Sequence, residues 1–389
     1  MKEEHLTNEQ LRLKAIDLYN QHWNVSAICE TLHCSRAWFY KWLKRYKSDD
    51  PNWYKEHSKA PKTNNNKISP EKEKMILEAR KELVTRPYSQ YGPQAIYYHL
   101  VQKNVEVPPV WTIARTLNRH HLTLKKKASP YTSKGKKYPY EYALCQQMDF
   151  VGPRYLYSKA RFYFLNLIYC DTHSAQVFVI DNQGSNDVCK NLIRYWKIAG
   201  IPDFLQMDNY LSYWGSLIRP NALGKVIRLC LSCRVTPVFV PIREPWRNGI
   251  VERFNNTMQK AILNSKTYND LDALQKETDY FCEIHNDTHH YSTQQGMTPV
   301  QCMKHLNYPV LLLDSYYQAS DIPKEVDTGE IHVIRFIRSD LNFNLFNLTF
   351  KLPENTMYEY VLGVIITDEH RLIIFKDQKY VTEFQFLLY

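Results

Sequence analysis

Three acidic residues stand out among the forty Asp and Glu of this 389-residue chain because of where they fall. Asp149 follows Cys145-Gln-Gln-Met at the end of an apolar, strand-like run. Asp208 closes a second such run in Leu205-Gln-Met-Asp-Asn209, and Glu252 lies in the first turn of a helix that begins near Ile250. Carboxylates at strand ends and on an adjacent helix can converge, because a cleft opens at the carboxyl edge of a sheet. Three such groups suit one kind of chemistry. Hydrolysis of phosphate esters is so slow that a catalyst must remove on the order of 20 kcal/mol from the barrier. Two divalent ions about 4 Å apart can activate the attacking oxygen and stabilise the leaving one. Mg²⁺ is hard and oxygen-loving and is held by few carboxylates. One carboxylate shared by both ions, plus one more for each, is the minimum set.

The elements that must position these acids read as a mixed α/β unit from about Tyr140 to Val310. Strand-like runs end at Asp149, Asp171, Ile180, Asp208 and Pro241, with helical stretches at 186–198 and 222–234. Asp171 reads either as a turn aspartate or as a fourth ligand. Asn255, Asn256 and Lys260 follow Glu252 on its helix; Asn255 and Asn256 share its face and are candidate contacts to nucleic acid. Pro245-Trp-Arg-Asn248 reads equally as a flap over the cleft or as a plain connection. Cys230 and Cys233 have CxxC spacing without a second pair, which favours core packing over zinc.

Ahead of this unit, residues 1–47 read as three short helices. Thr7 and Gln10 have capping-box spacing, and Ser35 can cap a third helix that buries Phe39, Trp42 and Leu43. Its other face carries Arg36, Trp38, Lys41, Lys44 and Arg45, the pattern of a helix-turn-helix whose last helix enters a major groove. A linker is expected over 48–68, then a second helix-turn-helix over 69–123 with Arg115 and Arg119 on its last helix. Residues 124–139 form a basic linker containing Lys125, Lys126 and Lys127 as candidate DNA contacts. With Lys134, Lys136 and Lys137 there are six lysines and no acid in this stretch. Their full engagement with phosphates predicts a salt slope of roughly −5. The formal net charge of +10 points the same way. From 326 to 389, alternation such as Leu348, Phe350 and Leu352 predicts five or so short strands and a small all-β barrel. Arg335, Arg338 and Lys351 read there as either backbone contacts or barrel surface.

The stretch from about Tyr140 to Leu306 resembles the catalytic core of the DDE transposase and retroviral-integrase superfamily, closest to bacterial insertion-sequence transposases. The matching pieces are Gln147-Met-Asp-Phe150, Gln206-Met-Asp-Asn209, Asn248-Gly-Ile-Val-Glu-Arg-Phe-Asn255 and Thr298-Pro-Val-Gln301. The resemblance implies a ribonuclease H-like core over 140–310, with Asp149, Asp208 and Glu252 as ligands of Mg²⁺ or Mn²⁺, two ions per site. It implies strand cleavage and strand transfer on double-stranded DNA, both element ends and target, by at least a homodimer. Flanking helix-turn-helix units and a small barrel match the family's layout. Two features depart from its pattern: a longer gap between Asp208 and Glu252, and Tyr210 where glycine is common. A catalytically silent DNA-binding regulator and a nuclease that cuts without joining are the rival readings.

Nine cysteines without a paired framework fit a reducing compartment. No secretory signal and no run of about 20 apolar residues is visible, so no membrane association is expected. The expected location is cytoplasmic and nucleoid-associated.

Overall fold

Helix caps and apolar spacing decide the first elements. The structure, a computed structural model, describes residues 6–48, 50–57, 68–123, 140–215, 222–264, 266–306, 310–325, 328–345 and 347–388. It divides into two units, Met1–Ile68 and Ser69–Tyr389. In the first, α1 (Asn8–Asn20) opens on the capping box: Gln10 N donates to Thr7 Oγ1 at 3.3 Å, and Thr7 N to Gln10 Oε1 at 2.8 Å. Asn24 caps α2 (Val25–Thr31) and Ser35 caps α3 (Arg36–Tyr46). Ala15, Ile16, Ile28, Cys29, Leu32, Phe39 and Leu43 share the core.

The stretch expected to be linker from Ser48 begins inside this unit. Arg12 is buried, donating to Tyr54 O at 2.6 Å and pairing with Glu56 at 2.9 Å. Its guanidinium lies 3.9 Å from the Trp42 ring, and that of Arg45 lies 4.6 Å away. Trp53 packs edge-on against Tyr46 at 5.3 Å. A segment without periodicity is therefore held by two aromatics and a carboxylate, which no periodicity test detects.

The second unit starts with α4 (Pro70–Thr85), α5 (Pro93–Gln102) and α6 (Val110–Arg119), packed through Ile76, Ala79, Leu83, Ile96, Leu100, Ile113 and Leu117. The chain then builds β1 (Cys145–Tyr155), β2 (Arg161–Tyr169), β3 (Ala175–Ile180), α7 (Ser185–Ala199), β4 (Phe204–Met207), α8 (Leu211–Trp214), α9 (Lys225–Ser232) and β5 (Thr236–Phe239). Next come α10 (Gly249–Ile262), α11 (Leu271–Thr288) and α12 (Pro299–Lys304). The last strands are β6 (Glu330–Phe336), β7 (Asn342–Leu345), β8 (Leu348–Lys351), β9 (Tyr360–Ile366), β10 (Arg371–Lys376) and β11 (Lys379–Gln385).

One sheet runs in the order β11-β10-β9-β6-β5-β4-β1-β2-β3. β1 to β3 pair antiparallel, β1-β4-β5-β6 pair parallel, and β6-β9-β10-β11 pair antiparallel. The apolar run of β2, broken only by Asn166, reflects burial on both faces. Tyr163, Leu165, Leu167 and Tyr169 enter the core under α7 and α9, while Phe162, Phe164 and Ile168 enter the core under α10 and α11.

Two expectations are corrected here. Residues 326–389 do form strands, but not a small barrel standing apart. Their β6 pairs with β5 (Val238 with His332, Phe239 with Val333), and Val361, Ile365, Leu372 and Ile374 join the same apolar cluster as Met148 and Leu205. Alternation identifies a strand but carries no information about which edge it will pair with. Asp149, expected at a strand end, lies within β1, because β2 continues to pair beyond it (Asp149 with Asn166, Phe150 with Leu165).

The helices α4–α6 are tied to α11 and the turn after it. The Tyr88 ring packs against Tyr280 and Phe281, its hydroxyl meets Glu277, and His289 Nε2 lies 2.8 Å from Tyr88 O. Tyr98 stacks on His290 at 4.1 Å.

Candidate active site

The repeated Gln-Met-Asp triplets occupy equivalent places on neighbouring parallel strands. Gln147 on β1 is in register with Gln206 on β4, so Asp149 and Asp208 each stand two residues further on. Residues two apart share a face of a strand, and adjacent strands lie roughly 4.8 Å apart. Both glutamines then reach the start of α10, the helix that carries Glu252. Val251 N donates to Gln147 Oε1 at 3.0 Å; Gln206 Nε2 donates to Asn248 Oδ1 at 2.9 Å and lies 3.1 Å from Arg247 O. The helix is thus registered against both strands by side chains that sit on the same strands as the aspartates.

The electrostatics follow from this convergence. Burial pushes the Asp149 carboxyl up to about 7, helped by the charges of Asp208 and Glu252 and opposed by hydrogen bonds from the Phe150 backbone and Asn255. Asp208 is also raised by burial, while Tyr210 N donates to its Oδ1 at 3.0 Å. The buried Tyr213 hydroxyl on α8 is raised by burial and by the fields of Asp208 and Asp149. Among the described residues, no three His, Cys, Asp or Glu side chains are gathered tightly enough to hold an ion as they stand. The donor chemistry nonetheless fits a hard divalent cation: the oxygens are carboxylate, and the half-buried Asp149 carries a repulsion from two further carboxylates that such an ion relieves.

Asn255 requires a correction. Expected to reach DNA, it is buried and turned onto the sheet, donating from Nδ2 to Asp149 Oδ2 at 2.8 Å and accepting from Asn166 Nδ2 at 2.6 Å. Three residues beyond Glu252 its side chain faces β1 and β2, whereas Asn256 and Lys260 are exposed. Asp171 accepts from Leu144 N at 2.6 Å, which fits the turn reading. Cys230 is buried within α9 in the core.

In the first unit, Arg36, Lys41 and Lys44 are exposed on α3, whereas Trp38 packs partly against the core and Arg45 lies on Trp42 and donates to Lys55 O at 3.3 Å. On α6, Arg115 is exposed over Trp111, while Arg119 pairs with Glu73 at 2.8 Å. Lys125, Lys126 and Lys127 lie outside the described residues.

Sequence reasoning also missed the contributions of β6 and β9. Arg335, read as a DNA contact or barrel surface, is buried and hydrogen-bonded to Asn209, the residue after Asp208. Tyr360 holds Glu244 and Arg247 just before α10. The segment Pro245–Asn248 is a 3-10 turn anchored at its base, with the Trp246 side chain exposed.

Residues 6–52 match the family model of a homeodomain-like domain, and residues 233–299, which include α10 and Glu252, match that of an integrase core domain. Among solved structures, the chain is similar to the HTLV-2 integrase catalytic core domain in complex with magnesium (16% identity, 41% of this chain and 94% of that one, TM-score 0.31). It is also similar to the catalytic core domain of BIV integrase (13% identity, 42% and 95%, TM-score 0.32). Residues 6–52 are thus similar to a homeodomain-like domain, and residues 233–299 to part of an integrase core domain. That combination is consistent with the DDE transposase and integrase superfamily. No helix among the described residues is long and apolar enough to cross a membrane.

Proposed function

We propose that this protein is a DNA transposase that binds element ends and catalyses metal-dependent strand cleavage followed by strand transfer. The observation that carries the reading is geometric: Asp149 and Asp208 each stand two residues beyond the paired Gln147 and Gln206, both of which bond the start of the helix that bears Glu252. Burial together with the fields of Asp208 and Glu252 raises the half-buried Asp149 carboxyl. Perturbed acids in a cleft are where such chemistry is sought.

Asp149, Asp208 and Glu252 hold the ions in this reading. Two divalent ions, when bound, neutralise charge that develops on the attacking and leaving oxygens. Asn255 orients Asp149, and Gln147 and Gln206 keep α10 in register with both strands. In the first step water displaces one DNA strand to leave a 3′-hydroxyl and a 5′-phosphate. In the second, that 3′-hydroxyl attacks a target phosphodiester and releases the target strand's own 3′-oxygen, so no covalent enzyme intermediate forms. DNA is engaged by Arg36, Lys41 and Lys44 of α3, by Arg115, by the lysines of 124–139, and by Asn256 and Lys260 beside the cleft. Two element ends must be handled together, which calls for at least a dimer on DNA.

Incubation with labelled end DNA and Mg²⁺ tests the reading. Cleavage and joined product are expected, and Asp208→Asn should abolish both while leaving DNA affinity within about twofold. Cleavage without joining points to a nuclease, binding without cleavage to a silent regulator. Retained cleavage in Asp208→Asn removes the ligand assignment.

A further inference from the structure

The C-terminal strands send two side chains into the segments that bear Asp208 and Glu252. Arg335 of β6 donates to Asn209 Oδ1 at 2.9 Å, to Val240 O at 3.2 Å, to Ile334 O at 2.8 Å and, through Nε, to Asn344 O at 3.2 Å. Asn209 in turn donates from Nδ2 to Val240 O at 2.7 Å. One buried cation therefore ties the residue after Asp208 to the exit of β5 and to β7. At the start of β9, the Tyr360 hydroxyl donates to the Glu244 carboxylate (2.8 and 3.0 Å) and accepts from Arg247 at 2.6 Å, while Arg247 Nε donates to Glu244 Oε2 at 2.9 Å. The carbonyl of Arg247 faces Gln206 Nε2, next to the β4 end, and α10 follows two residues later.

These are two separate anchors from one sheet, one on the residue after Asp208 and the other on the turn that leads into the helix of Glu252. Both segments are short turns with few backbone ladder bonds of their own, so their positions depend on side chains brought from elsewhere. Fixing an acid on a turn to a sheet limits its excursions, which is what closely spaced metal ligands require.

We propose that the C-terminal strands brace the active site, with Arg335 and Tyr360 as positioning residues that hold the Asp208 turn and the approach to Glu252. The proposal rests on the metal-site reading above for its purpose, though the bracing itself can be measured without it. Arg335, read from the sequence as either a DNA contact or barrel surface, would then act on the carboxylates through Asn209.

The test uses the full chain with Arg335→Met, the milder Arg335→Lys, and Tyr360→Phe, which removes one oxygen. Amide exchange followed by mass spectrometry should accelerate locally, at 208–215 in the Arg335 variants and at 242–250 in Tyr360→Phe. Mn²⁺ affinity, read by electron paramagnetic resonance, should fall about tenfold or more. Duplex DNA affinity should stay within about twofold of the parent. The brace is refuted by unchanged exchange in both segments, by acceleration spread evenly over β1–β3, or by loss of DNA affinity with exchange intact. Should the parent protein take up no Mn²⁺, the metal-site reading fails, and the exchange pattern still decides the brace.

Discussion

Asp149 sits where burial and two other carboxylates all oppose its ionisation, and the consequence is measurable as stability. Its folded-state value near 7 lies above the roughly 3.9 of an unfolded chain, so between those values the folded protein keeps a proton that the unfolded one releases. Its contribution is fully present below about pH 3.9 and is lost as pH rises through 7. In metal-free protein, the unfolding free energy of the parent minus that of Asp149→Asn should fall by a few kcal/mol, as an order of magnitude, between pH 4 and pH 8. A difference that stays flat, followed by denaturant titration at each pH, would show that Asp149 ionises freely. His285 acts in the opposite direction: burial lowers it to about 3, so its neutral form favours the fold and stability is lost on acidification below about 6.5. Asn255→Ala removes a donor to the ionised Asp149 and strands Asn166; we expect a loss of about 1–3 kcal/mol and weaker Mn²⁺ binding. Unchanged Mn²⁺ affinity in that variant would leave Asn255 a packing residue only.

At the scale of elements, the two glutamines matter more than their polarity suggests. Gln206→Ala leaves Asn248 and the Arg247 carbonyl without their shared donor and loosens the entry to α10. Strand cleavage should drop at least about tenfold with DNA affinity unchanged, since registry is needed to within about half an ångström. Wild-type turnover in this variant would show that backbone contacts alone hold the helix. Much at this scale was legible. Caps at Thr7 and Ser35, the strand runs ahead of Asp171 and up to Ile180, and a helix opening near Ile250 all follow local rules. What was not legible is where an element stops when its partner decides. β1 outlasts its apolar run because β2 pairs alongside it, and residues 50–57 fold back because Arg12 and Tyr46 capture them.

Across the whole molecule, the β5–β6 pairing makes the C-terminal region part of the core. Ile331, Val333, Val361, Ile365 and Leu372 share one cluster with Leu205, Met207 and Phe239, so a chain ending at residue 325 would expose that face and the β5 edge together. We expect such a shortened chain to aggregate or to unfold non-cooperatively, as judged by gel filtration and near-ultraviolet circular dichroism. A monomeric, cooperatively folded product would restore the idea of a detachable C-terminal domain.

The amino-acid sequence alone determined which side chains carry the candidate chemistry: two aspartates in matching Gln-Met-Asp triplets and a glutamate in a helix's first turn. It also determined the basic helical face of α3 and the strand character of 326–389, because caps, periodicity and local charge are properties of neighbouring residues. Only the tertiary structure decided that Asn255 faces Asp149, that Arg335 bonds the residue after Asp208, and that the last strands continue the central sheet. Those outcomes depend on which distant edge or side chain offers the better partner. That is a comparison between segments far apart in the chain, and no local pattern encodes it.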